Sequence, residues 1–176
     1  AAGVRDLRLQ TALAAQLKEL DLFLGVGVLE DGSTDFDLDR APSRVEAVTM
    51  LVRSLGKGVQ AELQPKTHPF TDVPAWADGY VSYAYDQGLT KGTADTAFGT
   101  EDTATGAMYV TFMLRALGYA DGADFTWDSP WSLAEDCGIL PEIVDRNNFL
   151  RADAVAVTCA ALFAEQKDSN DTLAQK

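Results

Sequence analysis

Arg44 and Arg151 each open an apolar-periodic segment, and each is followed two residues later by an acid, Glu46 or Asp153. A guanidinium can grip a carboxylate through two parallel hydrogen bonds. The unpaired N–H groups of a helix's first turn also favour an anion. Trp76, and Trp127 or Trp131 further on, offer flat apolar faces of the size of a sugar ring. The same residues admit a plainer reading. Arg44 and Glu46 equally suit the cap and charge balance of a helix start. Trp76 equally suits a wedge between helices, and Asp72 an Asx-type turn capping the helix after Val73-Pro74. Residue types alone leave both readings open.

Other chemistries find less support. Asp35, Asp37, Asp39 and Glu46 have the 1, 3, 5, 12 spacing of a calcium loop, but Arg40 stands where that loop needs glycine and Pro42-Ser43 belong to a helix start. The run reads as a solvated loop, so no metal is expected. His68, the single histidine, precedes Pro69 without any nucleophile motif and reads as a plain loop residue. The 27 acidic residues must supply some carboxylate pair by chance, yet none stands in a context that would raise a pKa, so neither enzyme activity nor a cofactor is expected. Cys137 and Cys159 lack metal-type spacing; Cys159 falls on an apolar stripe and reads as a buried thiol, with a bridge between the two left open.

The 14 basic residues against 27 acidic ones give a net charge of −13, which disfavours nucleic acid as a partner because counterion release needs clustered Lys and Arg. No apolar run reaches the ~20 residues that cross a bilayer. The Ala-Ala start suits a mature or trimmed chain.

The elements that must position these residues form a repeat. SRVEAVTMLVRSLG (43–56), TGAMYVTFMLRALG (105–118) and LRADAVAVTCAALF (150–163) align without gaps at steps of 62 and 45 residues. Their apolar positions fall in register: Val45, Ala107, Ala152; Val48, Val110, Val155; Val52, Leu114, Cys159; Leu55, Leu117, Leu162. Offsets of 0, 3, 7 and 10 make one stripe of an α-helix. Ser43 and Thr105 stand at N-cap positions, Glu46 completes a capping box, and Gly56 and Gly118 stand as C-terminal glycines. One such stripe buries too little to offset the ordering of fourteen residues. The three must therefore face one another, and Val48, Val110 and Val155 should meet on a shared axis.

Upstream of each lies a further helix: Leu13 to Gly25, a Trp-led helix ending at Gly88, and a short one with Ser129-Pro130 as cap and first helical residue. Each unit reads helix, loop, helix, with Phe36 and Phe98 seven residues ahead of Ser43 and Thr105. Strands have little support. The tail KDSNDTLAQK is polar and expected to fray or to lead towards a further domain.

FTDVPAWADGYVSYAYDQGLTKG (70–92) followed by TATGAMYVTFMLRALG resembles the S-layer homology module, with its Phe-x-Asp-Val start, Trp-Ala, Gly-bounded turn and Thr-Arg-Ala-Glu helix start. SRVE and LRAD are variants of that last element, and the resemblance spans residues 7 to about 165. It implies an all-α single domain over 1–176: repeats at 7–58, 68–119 and 123–166, the third degenerate, and a polar tail at 167–176. The repeats would form a monomeric pseudo-threefold prism around a central three-helix bundle. It implies non-covalent anchoring of an exported protein to the cell wall, as part of a larger surface protein outside the cell. The partner would be secondary cell-wall polysaccharide, often pyruvylated in the family, held in grooves between repeats. Arg44, Glu46, Asp72, Trp76, Trp131, Arg151 and Asp153 are the glycan-binding candidates the resemblance points to. Glu46 and Asp153 would accept sugar hydroxyls or orient the arginines. The second repeat reads Thr105-Gly106-Ala107-Met108, with neither the Arg nor the Glu, so at most two grooves should be competent. The alternative is a degenerate triplet serving protein–protein assembly at the cell surface.

Overall fold

The structure, a computed structural model, describes residues 5–175. Its α-helices are α1 (Leu7–Glu19), α2 (Arg44–Ser54), α3 (Gly58–Leu63), α4 (Asp78–Asp86), α5 (Gly106–Ala116), α6 (Trp131–Asp136) and α7 (Arg151–Leu162). A two-stranded antiparallel ribbon, β1 (Gly27–Val28) and β2 (Thr34–Asp35), is added. The fold is all-α, as the periodicity required. The ribbon was not expected from the sequence; two residues a side are too few for alternation to register, and its turn is closed locally by Asp31, which accepts from Ser33 N at 2.9 Å.

Helix ends follow the expected chemistry at α2 and α5. Ser43 Oγ accepts from Glu46 N at 3.3 Å, Glu46 Oε1 accepts from Ser43 N at 3.1 Å, and Thr105 Oγ1 accepts from Met108 N at 3.2 Å. Gly56 and Gly118 take positive φ just past the C-caps. Elsewhere boundaries move. α1 begins at Leu7 rather than Leu13 because Asp6 caps it, accepting from Arg8 N and Leu9 N at 3.1 Å, and it ends at Glu19 rather than near Gly25. Pro130 is the N-cap of α6 and Trp131 its first residue, a shift of one.

α2, α5 and α7 each touch the other two, with Val48, Val110 and Val155 fully buried. The single stripe understates their burial: every residue of α7 from Arg151 to Thr158 is enclosed, as befits a helix covered on all sides. The cover comes in cyclic order: α1 packs mainly on α7, α4 on α2 and α3, and α6 on α5. At the α5–α7 crossing, Thr158 Oγ1 donates to Ala154 O at 2.7 Å, so Tyr109 must be the donor of the 2.6 Å bond to Thr158. Burial pushes the Tyr109 phenol well above its ordinary range.

His68 is a loop residue but a buried one. Its Nδ1 accepts from Phe70 N at 3.1 Å and its Nε2 lies 2.8 Å from Asp78 Oδ1; with Nδ1 accepting, Nε2 carries the proton and ties the loop to the start of α4. Residues 167–175 of the tail pack back on the domain instead of fraying. Lys167 N donates to Leu117 O at 2.8 Å, Lys167 Nζ pairs with Asp124 at 2.8 Å, and Leu173 is buried. Cys137 and Cys159 are free, half-buried thiols, and burial pushes Cys159 up to about 11.

α3 is held against α4 by a close backbone approach. A Cβ on Gly79 would lie 1.9 Å from the carbonyl oxygen of Ala61. Helix propensity alone favours alanine there by ~1 kcal/mol, whereas forcing α3 away costs more. Gly79→Ala is therefore expected to destabilise by about 2 kcal/mol net in urea unfolding.

Candidate functional site

The arginines at the starts of α2 and α7 do the same thing. Arg44 N donates to Asp102 O at 2.8 Å, Val45 N to Thr100 O at 3.4 Å and Arg44 Nε to Phe98 O at 2.9 Å. Arg151 N donates to Arg40 O at 2.8 Å, Ala152 N to Leu38 O at 3.0 Å and Arg151 Nε to Phe36 O at 3.0 Å. The acceptors match at the same step of 62. Each guanidinium lies 5.1 Å from an aromatic ring, Phe98 for Arg44 and Phe23 for Arg151. Both arginines are buried, and desolvation lowers both pKa values. The expected anion site at the helix N-termini is thus occupied from within: loop carbonyls of the chain take the donors a ligand would have used.

Asp72 serves the same docking rather than the cap of the helix after it. Its Oδ1 accepts from Phe98 N at 2.7 Å and its Oδ2 from Gly99 N at 2.8 Å and Thr100 N at 3.1 Å, so it shapes the loop that receives Arg44. Desolvation works to raise its pKa, but the N–H groups of Phe98, Thr100 and Gly99 prevail and hold the carboxyl below its ordinary value. Asp153 is 0% exposed; it pairs with Arg5 at 2.8 Å and accepts from Leu150 N at 2.8 Å.

Where α2 and α7 begin with Arg, α5 begins with Gly106. Trp131 fills the space: a Cβ on Gly106 would lie 3.2 Å from its Cη2, with Phe149 and the Arg146 carbonyl equally close. The Arg146 guanidinium lies 5.2 Å from the Trp131 ring.

Three of the seven candidates converge. Arg151, Glu46 and Trp76, together with Phe23, Met50, Arg53 and the 22–26 loop, line a groove of about 400 Å³. Trp76, in the turn Ala75–Ala77 ahead of α4, is 59% exposed and so is not a buried wedge between helices. Arg44, Asp72, Trp131 and Asp153 lie outside this groove. Arg53 was missed by the sequence reading although the repeat contained the signal: it and Arg115 share one offset before the x-Leu-Gly ending.

Glu46 is the groove's carboxylate, and it is saturated. Oε1 accepts from Arg40 Nη1 at 2.8 Å and Ser43 N at 3.1 Å; Oε2 accepts from Arg40 Nη2 at 2.8 Å and Arg151 Nη1 at 2.9 Å. Four donors fill its four acceptor positions. The Arg40 hydrogen bonds, with help from Ser43 and Arg151, hold its pKa down to about 2.

Residues 69–107 match the family model of the S-layer homology domain. The chain belongs to the S-layer homology family. It is 32% identical over 120 residues to the "Middle cell wall protein" of Brevibacillus brevis, covering 66% of the chain and 11% of that protein. It is 32% identical over 122 residues to the "Surface layer protein" of Brevibacillus choshinensis, covering 68% and 11%. The figures for the "Cell surface protein" of Thermoanaerobacter kivui are 31% over 121 residues, covering 67% and 15%. The S-layer homology chain thus spans a small fraction of the length of these relatives. None of its described helices is long and apolar enough to cross a membrane.

The saturation of Glu46 fixes a pH dependence. Its pKa lies below the ordinary 4.5, so the stabilisation it supplies is complete above about pH 4.5 and is lost as pH falls through about 2. Glu46→Gln leaves two guanidiniums short of a partner and is expected to cost about 1–3 kcal/mol at pH 7. Urea unfolding of both proteins across pH should show that deficit shrinking between about 4.5 and 2.

Proposed function

We propose that this chain tethers a larger exported protein to the bacterial cell wall by holding a wall polysaccharide in the groove of Trp76, Arg151 and Glu46. In this reading the repeats at 7–58, 68–119 and 123–166 act together as one monomeric unit outside the cell, and the protein works as an anchor. The observation that carries it is Trp76, a large aromatic left 59% exposed above a groove of about 400 Å³. An indole face so placed suits stacking on a pyranose ring, which buries apolar area at small entropic cost. The relatives' names, a cell wall protein, a surface layer protein and a cell surface protein, support the same location.

The reading is one of binding without catalysis. The groove's carboxylate already accepts four hydrogen bonds and stays ionised, so it has no proton to give and no free lone pair with which to take one. At the start of α5, Trp131 and Phe149 pack against Gly106 and leave no room there for an arginine side chain.

The test is co-sedimentation with purified cell-wall sacculi, before and after the secondary polymer is stripped. The chain should pellet with intact walls and stay in solution with stripped ones. Trp76→Ala should weaken pelleting roughly tenfold or more, as loss of ~1.4 kcal/mol of stacking implies, with the thermal melt unchanged. Equal retention on stripped walls would refute glycan anchoring and favour the assembly alternative. Unchanged binding by Trp76→Ala would refute this groove.

A further inference from the structure

We infer that Arg5, in the segment ahead of α1, is a positioning residue of the groove: it latches the first turn of α7 and thereby sets Arg151 against Glu46. The inference rests on the groove reading above and adds a residue outside the groove on which its geometry depends.

The two acidic helix starts are built alike, and one of them borrows a part. At α2, Arg40 stands three residues ahead of the cap. Its Nη1 donates to Ala41 O at 3.3 Å, and its two Nη groups grip both oxygens of Glu46 at 2.8 Å. At α7 the residue three ahead of the cap is Asn147, which is exposed and carries no charge. Arg5 supplies the missing guanidinium from 148 residues away. Its Nη2 donates to Asn148 O and to Asp153 Oδ2, both at 2.8 Å. Asn148 stands two residues ahead of Leu150 just as Ala41 stands two ahead of Ser43. The arrangement of carbonyl, guanidinium and carboxylate is the same; only its cation comes from elsewhere in the chain.

The latch matters because of what the carboxylate holds. Asp153 is fully buried, with Oδ2 also accepting from Leu150 N at 2.8 Å and Oδ1 from Asp145 N at 3.3 Å. Removing the cation from a buried carboxylate leaves a charge that is relieved when the turn opens to water. The neighbouring residue is held from the same side: Gln10 of α1, itself buried, donates from Nε2 to Ala152 O at 3.1 Å. Arg5 and Gln10 thus clamp residues 152 and 153. Arg151, immediately before them, reaches the groove with Nε on Phe36 O at 3.0 Å and Nη1 on Glu46 at 2.9 Å. When that first turn loosens, the Arg151 wall of the groove moves with it. Both Arg5 hydrogen bonds come from one terminal nitrogen, so an ammonium can replace it and a neutral amide cannot.

The experiment compares wild-type, Arg5→Gln, Arg5→Lys and Trp76→Ala chains, at a temperature where thermal melts show them folded. Amide hydrogen exchange at Leu150, Arg151 and Ala152 reads the latch, and exchange at Met108 and Tyr109, at the start of α5, is the control. Co-sedimentation with intact cell-wall sacculi reads the groove. Arg5→Gln should speed exchange at the start of α7 about tenfold, leave the start of α5 unchanged, and weaken co-sedimentation about threefold or more. Arg5→Lys should restore both. Trp76→Ala should weaken co-sedimentation with α7 exchanging as in wild type. Should Arg5→Gln not fold, Asp153→Asn, which keeps an acceptor for Leu150 N but breaks the ion pair, should give the same pattern. Wild-type exchange at α7 in Arg5→Gln, or an equal rise at α5 and α7, would overturn the latch. Faster exchange at α7 with undiminished sedimentation would overturn the positioning role. If wild type itself stays in solution with intact walls, the groove reading fails, and the exchange data still decide the latch.

Discussion

The structure depends on one repeated contact: a core-helix N-terminus laid against a loop elsewhere in the chain, with an arginine Nε donating to the carbonyl of that loop's phenylalanine. Arg44 does this to Phe98 and Arg151 to Phe36. Each contact pairs two backbone N–H groups and one guanidinium N–H with carbonyls of the loop. The arginine's apolar stem and flat head meanwhile cover an aromatic ring. The outer helices complete the closure, since α1, α4 and α6 each pack on a core helix from a different part of the chain. No unit therefore owns a finished core.

This explains how much the sequence revealed. The core helices, their caps and their common register were legible because each rests on contacts within fourteen residues: Ser43 with Glu46, Thr105 with Met108, apolar positions at helical spacing. What the arginines touch was not legible, because their partners lie 54 and 115 residues away. Asp72 shows the same limit. A local Asx turn was its natural reading, yet three backbone N–H groups 26 to 28 residues distant claim it. The tail is a further case: its composition is polar, but the burial of Leu173 and the pairing of Lys167 with Asp124 outweigh that average.

The docking is not uniform, and its one irregular position is informative. Glu46 accepts from Arg151 Nη1, whereas the corresponding contact of Arg44 Nη1 is with the sulfur of Met108, at 3.2 Å. A thioether is a weak acceptor. α5 has Gly106 where α2 and α7 have their first arginine, and an aromatic ring from the following unit fills the gap. Between the units one polar contact thus has a softer counterpart and another an apolar one, at positions where packing can substitute for hydrogen bonding.

That substitution separates two demands that the arginine motif had appeared to combine. An arginine that must hold a helix against a loop has its Nε, its plane and most of its solvation committed; what it can still offer a ligand is small. Beside Arg151 and Glu46, Trp76 in its turn stands exposed, with Arg53 in the last turn of α2 lining the same groove. Among the described residues Trp76 carries no hydrogen bond of the kind that commits the motif arginines, whereas Arg53 ties α2 to α4 through Tyr80.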